Sequence, residues 1–379
     1  YFVVPHLYGT ENAPHMRLMH PESIPRRRPG ASSAEDAYPG LTVTPGLGAG
    51  GGPNVHTTSI PALLSPYLGA AEYQRLLAAV QSRGDRAELG YFDGIDALPL
   101  VGGAHSGSTE LPAALQGFHY GQDLFQEVAR YAARVTEALR ERRPDVVHAH
   151  DWMTFPAAAQ VARHNSVPLV VHVHSLEHDR SGGNENPTIA AIEGAGLHEA
   201  ARVIAVSHYT ARMIHERYGV PLERIDVVHN GVYARPTVSA YREASKDQGP
   251  LVLFLGRITY QKGPEYFVEA AAKVLEKVPN ARFVMAGSGD MLPAMQAFVR
   301  DLGIESSFEF PGFVRGAEVE HLFSMADVYV MPSVSEPFGI AALEAMSFET
   351  PVILSRQSGA SEILRHALKV DCWDIDKLA

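Results

Sequence analysis

Glu336 and Glu344 stand eight positions apart in the segment Glu336-Pro-Phe-Gly-Ile-Ala-Ala-Leu-Glu344. The apolar run Val328-Tyr-Val-Met331 before them predicts a buried strand, and the composition of Phe338–Phe348 predicts a helix. A strand that feeds a helix through a Pro-Phe-Gly turn presents backbone N–H groups at the helix start, where an anion such as a diphosphate can bind. One carboxylate lies at that opening and the other two turns deeper, so a polyhydroxylated ligand carrying a phosphate would be gripped at both ends. Taken alone, the same residues also fit a turn cap and an ordinary helix-face glutamate.

A second group is cationic. Gly256-Arg-Ile-Thr-Tyr-Gln-Lys-Gly263 follows the predicted strand Leu251–Leu255, and it places Arg257 and Lys262 in one glycine-bounded loop. Arg supplies a planar fork and Lys a point charge, and the two can converge on one phosphate pair. Gly287-Ser-Gly289 ends the next predicted strand; it either makes the turn into a helix or lets a nucleotide approach the backbone closely. Two further pairs are imidazoles. His148-Ala-His150 and His172-Val-His174 each put two rings on one face of a strand, and with Asp151 nearby they fit the metal site of a hydrolase. No further His/Asp pattern of a metallohydrolase follows, and the second half of the chain would be left without a role. His148 and His172 are therefore expected to be packing residues with a satisfied ring nitrogen.

These groups need a scaffold, and the sequence alternates strand-like and helical stretches. Phe125, Val128, Ala132, Val135 and Leu139 fall at spacings of three and four, which predicts an amphipathic helix ending near Arg143-Pro144. Strands are predicted at Val146–Ala149, Leu169–Val173, Val203–Val206 and Ile225–Val228. A polar stretch over 234–250 marks a boundary between domains 1–240 and 241–379. Beyond it the predicted order is strand Leu251–Leu255, helix Glu265–Lys277, strand Arg282–Ala286, helix Met291–Leu302, strand Phe308–Phe310 and helix Glu318–Met325. Strand Val328–Met331, helix Phe338–Phe348, strand Val352–Leu354 and helix Ala360–His366 complete it. Alternation of this kind predicts βαβ units and a doubly wound α/β fold, with ligands beyond the carboxyl ends of the strands. Residues 14–52 read as a loop-rich insertion. Arg26-Arg27-Arg28 within it is either a contact patch or a solvated loop, and Gly46–Gly52 is a flexible turn.

Composition narrows the class. The 379 residues are 46% apolar and 20% charged, enough for a large core, and 32 basic against 43 acidic residues give a net charge of −11. That balance argues against nonspecific nucleic-acid binding and against an anionic membrane surface. Cys372 is the one cysteine, so neither an intrachain disulfide nor a thiolate zinc site can form, and a reducing cytoplasm is the expected compartment. No run approaches the roughly 18–20 apolar residues of a membrane span, so no integral membrane association is expected. Tyr1-Phe-Val-Val4 reads as a strand already under way and Asp374–Ala379 as a helix cut short, which suggests a fragment.

The cationic loop, the Gly287-Ser-Gly289 turn, Gly312-Phe-Val314 and the Glu336…Glu344 pair resemble, in order and register, the retaining GT-B glycosyltransferases of family 4 type, in their glycogen/starch synthase-like branch. Pro144-Asp-Val-Val-His-Ala-His-Asp-Trp152, Val173-His-Ser-Leu-Glu-His-Asp-Arg-Ser-Gly182, Val203-Ile-Ala-Val-Ser207 and Val228-His-Asn-Gly231 are similar to acceptor-domain motifs of that branch. The resemblance covers roughly 120–379; 14–110 match poorly. It implies two Rossmann-like domains facing across a cleft and transfer of glucose from ADP- or UDP-glucose to an α-glucan or another carbohydrate acceptor. Rival products are a small or lipid-linked glycoside or sucrose-phosphate, and a noncatalytic nucleotide-sugar-binding protein is the rival of another class. By the same resemblance Arg257 and Lys262 hold the donor diphosphate and Glu336 the donor sugar's hydroxyls, with backbone amides of Phe338, Gly339, Ile340 and Ala341 completing those contacts. Glu344 takes the ribose, Phe313 and Val314 border the base, and Gly287 approaches the nucleotide. His174 faces the reacting sugar with Asp151 nearby. Neither a metal nor a cofactor is implied, and the oligomeric state is left open. The family's first strand with its Gly-rich loop, and its last helix, are expected to be missing from this chain.

Overall fold

The computed structural model describes residues 2–4, 57–59, 122–232 and 249–379. The expectations for 14–52, for the Arg26–Arg28 patch, for Gly46–Gly52 and for most of the 234–250 boundary lie outside the described residues. Two compact units make up the chain, residues 1–143 with 163–165 and residues 144–162 with 166–379. In the first unit, β1 (Phe2–Val4) pairs in parallel with β2 (Thr57–Ser59), and α1 spans Gln122–Ala138. The predicted periodicity holds in α1: Val128, Ala132 and Val135 are all buried.

The second unit holds two parallel sheets. In the first, β3 (Val147–His150), β4 (Leu169–Val173), β5 (Arg202–Ala205) and β6 (Ile225–Val227) lie in chain order. The connections are α2 (Phe155–Asn165), α3 (Glu177–Ser181) with α4 (Pro187–Glu199), and α5 (His208–Tyr218). One face is packed: Leu169, Val171 and Val173 are buried, as are Val203 and Ala205. The alternate positions of β3 carry His148 and His150, both exposed.

The second sheet has six strands: β7 (Leu251–Leu255), β8 (Arg282–Ala286), β9 (Phe308–Gly312), β10 (Val328–Met331), β11 (Val352–Ser355) and β12 (Leu368–Val370). They lie in the order β12-β11-β10-β7-β8-β9, all parallel. The chain winds outward from β7 to β9, returns to the far side of β7 as β10, and winds outward again to β12. Neighbours β7 and β10 therefore send their connections in opposite directions, which opens a crevice beyond their carboxyl ends.

Helices cover both faces of the central strands, so β7 and β10 are continuously apolar. α6 (Pro264–Lys277), α7 (Leu292–Asp301), α8 (Ala317–Met325), α9 (Ile340–Ser347), α10 (Ala360–Ile363) and α11 (Ile375–Leu378) supply the cover. Alternate residues feed two cores. Leu251, Leu253, Val284, Tyr329 and Met331 pack with Phe323, Ala342 and Phe348. Phe254, Phe283, Met285 and Val330 pack with Phe267, Val268 and Val299. Full burial of one such side chain contributes roughly 1.5–3 kcal/mol, so the sheet is the rigid part on which a site can be held. No helix among the described residues is long and apolar enough to cross a membrane.

Three predicted elements shift. The helix expected to end near Arg143-Pro144 stops at Ala138. The helix expected over Phe338–Phe348 starts at Ile340, because Gly339 takes φ 102°, outside the helical region. The helix expected to reach His366 stops at Ile363, and the residues after it turn into β12.

Candidate active site

A cavity of about 360 Å³ opens where β7 and β10 end, at the small end of ligand-site cavities, which run from roughly 300 to 1,000 Å³. Its walls begin with Phe254, Leu255 and Gly256 from β7 and Tyr329, Val330 and Met331 from β10. Arg257, Lys262, Ser333, Glu336, Phe338, Gly339, Ile340 and Ala341 follow from the loops beyond those strands, and His174 and Asn230 come from the first sheet.

The cations reach the cavity through a folded loop. Gly256 N–H donates to Ala286 O (3.0 Å) and Ile258 N–H to Ser288 O (2.9 Å), which ties the loop to the end of β8. A single 3₁₀ turn, Tyr260–Lys262, closes it, and Gly263 in the left-handed region passes the chain into α6. Arg257 Nη2 donates to Oε1 of the buried Gln261 at 3.1 Å, which orients the guanidinium. Lys262 Nζ donates to Glu336 Oε2, and the Ser333 hydroxyl donates to the same oxygen at 3.2 Å. A carboxylate only 6% exposed is thus bonded by an ammonium and a hydroxyl.

The turn that carries Glu336 ends at Gly339. A Cβ there would lie 2.6 Å from Met331 Cε and 3.2 Å from Glu336 Cγ, so glycine is required both for φ and for space. Gly339 offers no side-chain cap, so the first N–H groups of α9 are left for a ligand at the positive end of the helix dipole. Residues 335–337 are also bonded to helices α3 and α5, which flank the first sheet. Ser207 Oγ and Thr210 Oγ1 donate to Pro337 O (2.6 and 3.2 Å), Ser335 Oγ donates to Asp179 Oδ1 (2.5 Å), and Tyr209 Oη pairs with Ser335 Oγ (2.9 Å).

The structure brings together His174, Arg257, Lys262, Glu336, Phe338, Gly339, Ile340 and Ala341 of the expected site residues. The other five stand off the cavity. Asp151, at φ 59°, accepts the His174 N–H at 2.8 Å and so holds that residue from behind; burial raises the Asp151 pKa. Gly287 supports the wall: a Cβ there would lie 1.8 Å from Gly256 O. Phe313 is 70% exposed and Val314 packs on the sheet core. Glu344 sits in the second turn of α9, where its charge adds to burial and to Glu336 in raising the Tyr329 pKa. Asn230 and Ser333 were not predicted as site residues. Asn230 lies in the Val228-His-Asn-Gly231 motif read from the sequence, whereas an isolated serine such as Ser333 carries no signal of its own.

His148, His150, His172 and His174 stack along β3 and β4. His150 Nδ1 contacts His174 Nε2 at 2.9 Å. Burial, and then the neighbouring rings, lower the pKa of His150 to about 4 and that of His172 to about 3, so both are uncharged at neutral pH. The expectation that His172 would be satisfied does not hold: its buried Nε2 has no hydrogen-bond partner.

Two parallel α/β sheets with a ligand-sized cavity at the switch point of the second are the GT-B glycosyltransferase fold. The structure of the Anabaena protein HepE with UDP and glucose superposes with a TM-score of 0.58, at 21% identity, over 68% of this chain and 72% of that one. Residues 98–234 match the Glycosyltransferase Family 4 model and residues 240–373 the Glycosyl transferases group 1 model. The chain belongs to the family 4-type GT-B glycosyltransferases. It is similar to an uncharacterized glycosyltransferase of Methanocaldococcus jannaschii, 37% identical over 59% of this chain and 60% of the relative. A glycogen synthase of Mycobacterium tuberculosis is 31% identical over 59% and 55%. A D-inositol 3-phosphate glycosyltransferase of Pseudarthrobacter chlorophenolicus is 32% identical over 61% and 60%. The chain thus spans somewhat more than half the length of these relatives.

Proposed function

We propose that this chain is a retaining, metal-independent hexosyltransferase of the cytoplasm, glycogen synthase-like, that moves glucose from ADP- or UDP-glucose to an α-glucan or another carbohydrate acceptor. The observation that carries the reading is the convergence of Arg257, Lys262, Glu336 and the uncapped start of α9 on one cavity. Glycosyl transfer from a nucleotide sugar builds positive charge at the anomeric carbon and negative charge on the departing diphosphate. Preorganised cations and helix N–H groups stabilise the second of these, so Arg257 and Lys262 act on the leaving group with no cofactor. Glu336 is the one carboxylate among the cavity-lining residues, and it is ion-paired to Lys262. Double displacement uses two carboxyl groups flanking the bond, so the arrangement favours Glu336 as a sugar-binding group and front-face transfer. Glu344 takes the ribose, with Gly287, Phe313 and Val314 toward the nucleoside. His174, held by Asp151, faces the reacting sugar.

The comparable similarity to an inositol-phosphate glycosyltransferase favours a second reading, transfer to a small polyol phosphate. A donor panel of ADP-, UDP- and GDP-glucose tested with glycogen and with a polyol phosphate separates the two. Diphosphate release that requires glycogen, with an α-linked product by NMR, is expected. Release only with the polyol phosphate selects the second reading, and donor binding without release on any acceptor refutes both.

A further inference from the structure

We propose that His148, His150 and His172 form a binding site for one divalent first-row transition ion, such as Zn²⁺, on the open face of the first sheet. The register pairs His150 directly with His172 across β3 and β4, and His148 lies two residues before His150 on the same face. One nitrogen from each ring falls within 4.8 Å of the others. Ring centroids are 4.6 Å apart for His148 and His150, 5.0 Å for His150 and His172, and 5.8 Å for His148 and His172. The backbone positions are fixed by parallel hydrogen bonding, so closure onto an ion at the roughly 2.0–2.1 Å of a zinc–imidazole bond would come from rotation of the side chains.

Two independent observations point to a ligand rather than to packing. His172 Nε2 is buried without a hydrogen-bond partner, a cost that coordination would remove. His148 and His150 are exposed, so an ion can enter and keep water in its remaining positions. The donors are all imidazole, which selects zinc, copper, nickel or cobalt over magnesium and calcium. An outer contact is also in place: His150 Nδ1 meets His174 Nε2 at 2.9 Å, and Asp151 accepts the backbone N–H of His174, which fixes the chain at that residue. A second trio, His208, His229 and Glu362, is less suited. The Glu362 carboxylate already accepts the N–H groups of His208 (2.9 Å) and Tyr209 (2.6 Å) and contacts His229 Nε2 (3.2 Å).

The test is titration of the untagged full chain, first stripped with EDTA and exchanged into metal-free buffer, with Zn²⁺ by calorimetry and with Co²⁺ by visible absorption. One equivalent is expected to bind. Affinity should fall 10- to 100-fold in His148→Ala and in His172→Ala, while His229→Ala binds as the wild type does. His148 is exposed, so its variant reports even if His172→Ala fails to fold. No saturable uptake by the wild type, uptake unchanged in His148→Ala, loss of uptake in His229→Ala, or displacement of Zn²⁺ by millimolar Mg²⁺ would each overturn the proposal.

Discussion

Lys262→Ala tests the cavity chemistry and its energetics together. Under the proposed function the ammonium is one of two cations available to the departing diphosphate, and loss of one preorganised donor costs about 10²–10³ in kcat, roughly 2.7–4 kcal/mol. The same change leaves Glu336, a side chain 8% exposed, with the Ser333 hydroxyl as its remaining donor. Removing one partner of a buried pair costs about 3–5 kcal/mol. The Lys262 side chain is 20% exposed, so solvent recovers part of that and about 2–3 kcal/mol is expected. Neutralising the stranded carboxylate should restore stability: Lys262→Ala/Glu336→Gln is expected to unfold at higher urea than Lys262→Ala alone, although neither variant regains turnover. Initial rates of diphosphate release at saturating donor, with urea midpoints for both single variants and the double variant, complete the cycle. A kcat within threefold of wild type removes Lys262 from the leaving group. Stability effects that add within about 0.5 kcal/mol show that the pair is not coupled.

Glu344→Gln should raise the Kd for the nucleotide several-fold at unchanged stability, and an unchanged Kd refutes the ribose role. Gly339→Ala forces a Cβ onto a residue at φ 102° and within 2.6 Å of Met331 Cε; a loss of about 1–3 kcal/mol is expected, and an unchanged urea midpoint refutes the strain. The histidine rings predict acid lability. His150 and His172 have folded pKa values of about 4 and about 3, below the 6.5 of the unfolded chain. The unfolded state therefore binds more protons between about pH 3 and 6.5, so their contribution is present above pH 6.5 and is lost as pH falls through that window. His150 is exposed and His172 partly buried, so solvent screening reduces the loss between pH 7 and pH 5 to about 1 kcal/mol each. Urea midpoints in EDTA should fall over that range and fall less in His150→Gln; parallel curves refute the assignment.

The second sheet is legible because its strands are buried on both faces. Leu251–Leu255, Arg282–Ala286 and Val328–Met331 occur where predicted, since runs of large apolar residues bounded by turns have few other uses. β12 was missed: Leu-Lys-Val is too short to show a period, and it forms only because β11 is there to pair with it. α4 begins with Asn186 capping Thr188 and Ile189 and with Pro187 at its first position. That start signal is plain, but the stretch behind it alternates too little to draw the eye. Within the site, the residues that line the cavity come from strand ends and turns, which the motifs marked. Gly287, Phe313, Val314 and Glu344 sit near those motifs without facing the cavity, because sequence adjacency says nothing about which way a turn points. Pairing of Lys262 with Glu336, 74 residues apart, depends on β7 and β10 being neighbours, and no local pattern encodes that.

Serine and proline on either side of Glu336 are fastened to helices α3 and α5 beside the first sheet, through Asp179 and Tyr209 at Ser335 and through Ser207 and Thr210 at Pro337. The backbone on either side of the glutamate is thus held by helices of the first layer, while its carboxylate bonds to Lys262 and Ser333 of the second. Under the proposed function, loss of these bonds would loosen the turn that sets Glu336 toward the sugar, while Arg257 stays tied to Gln261 of its own loop. Under the proposed function the donor would then be tethered but not set for attack, and water entering an unengaged site would find a poorly oriented anomeric carbon. Under that reading the fastening would confine idle hydrolysis of an activated sugar to the time when both layers are in place.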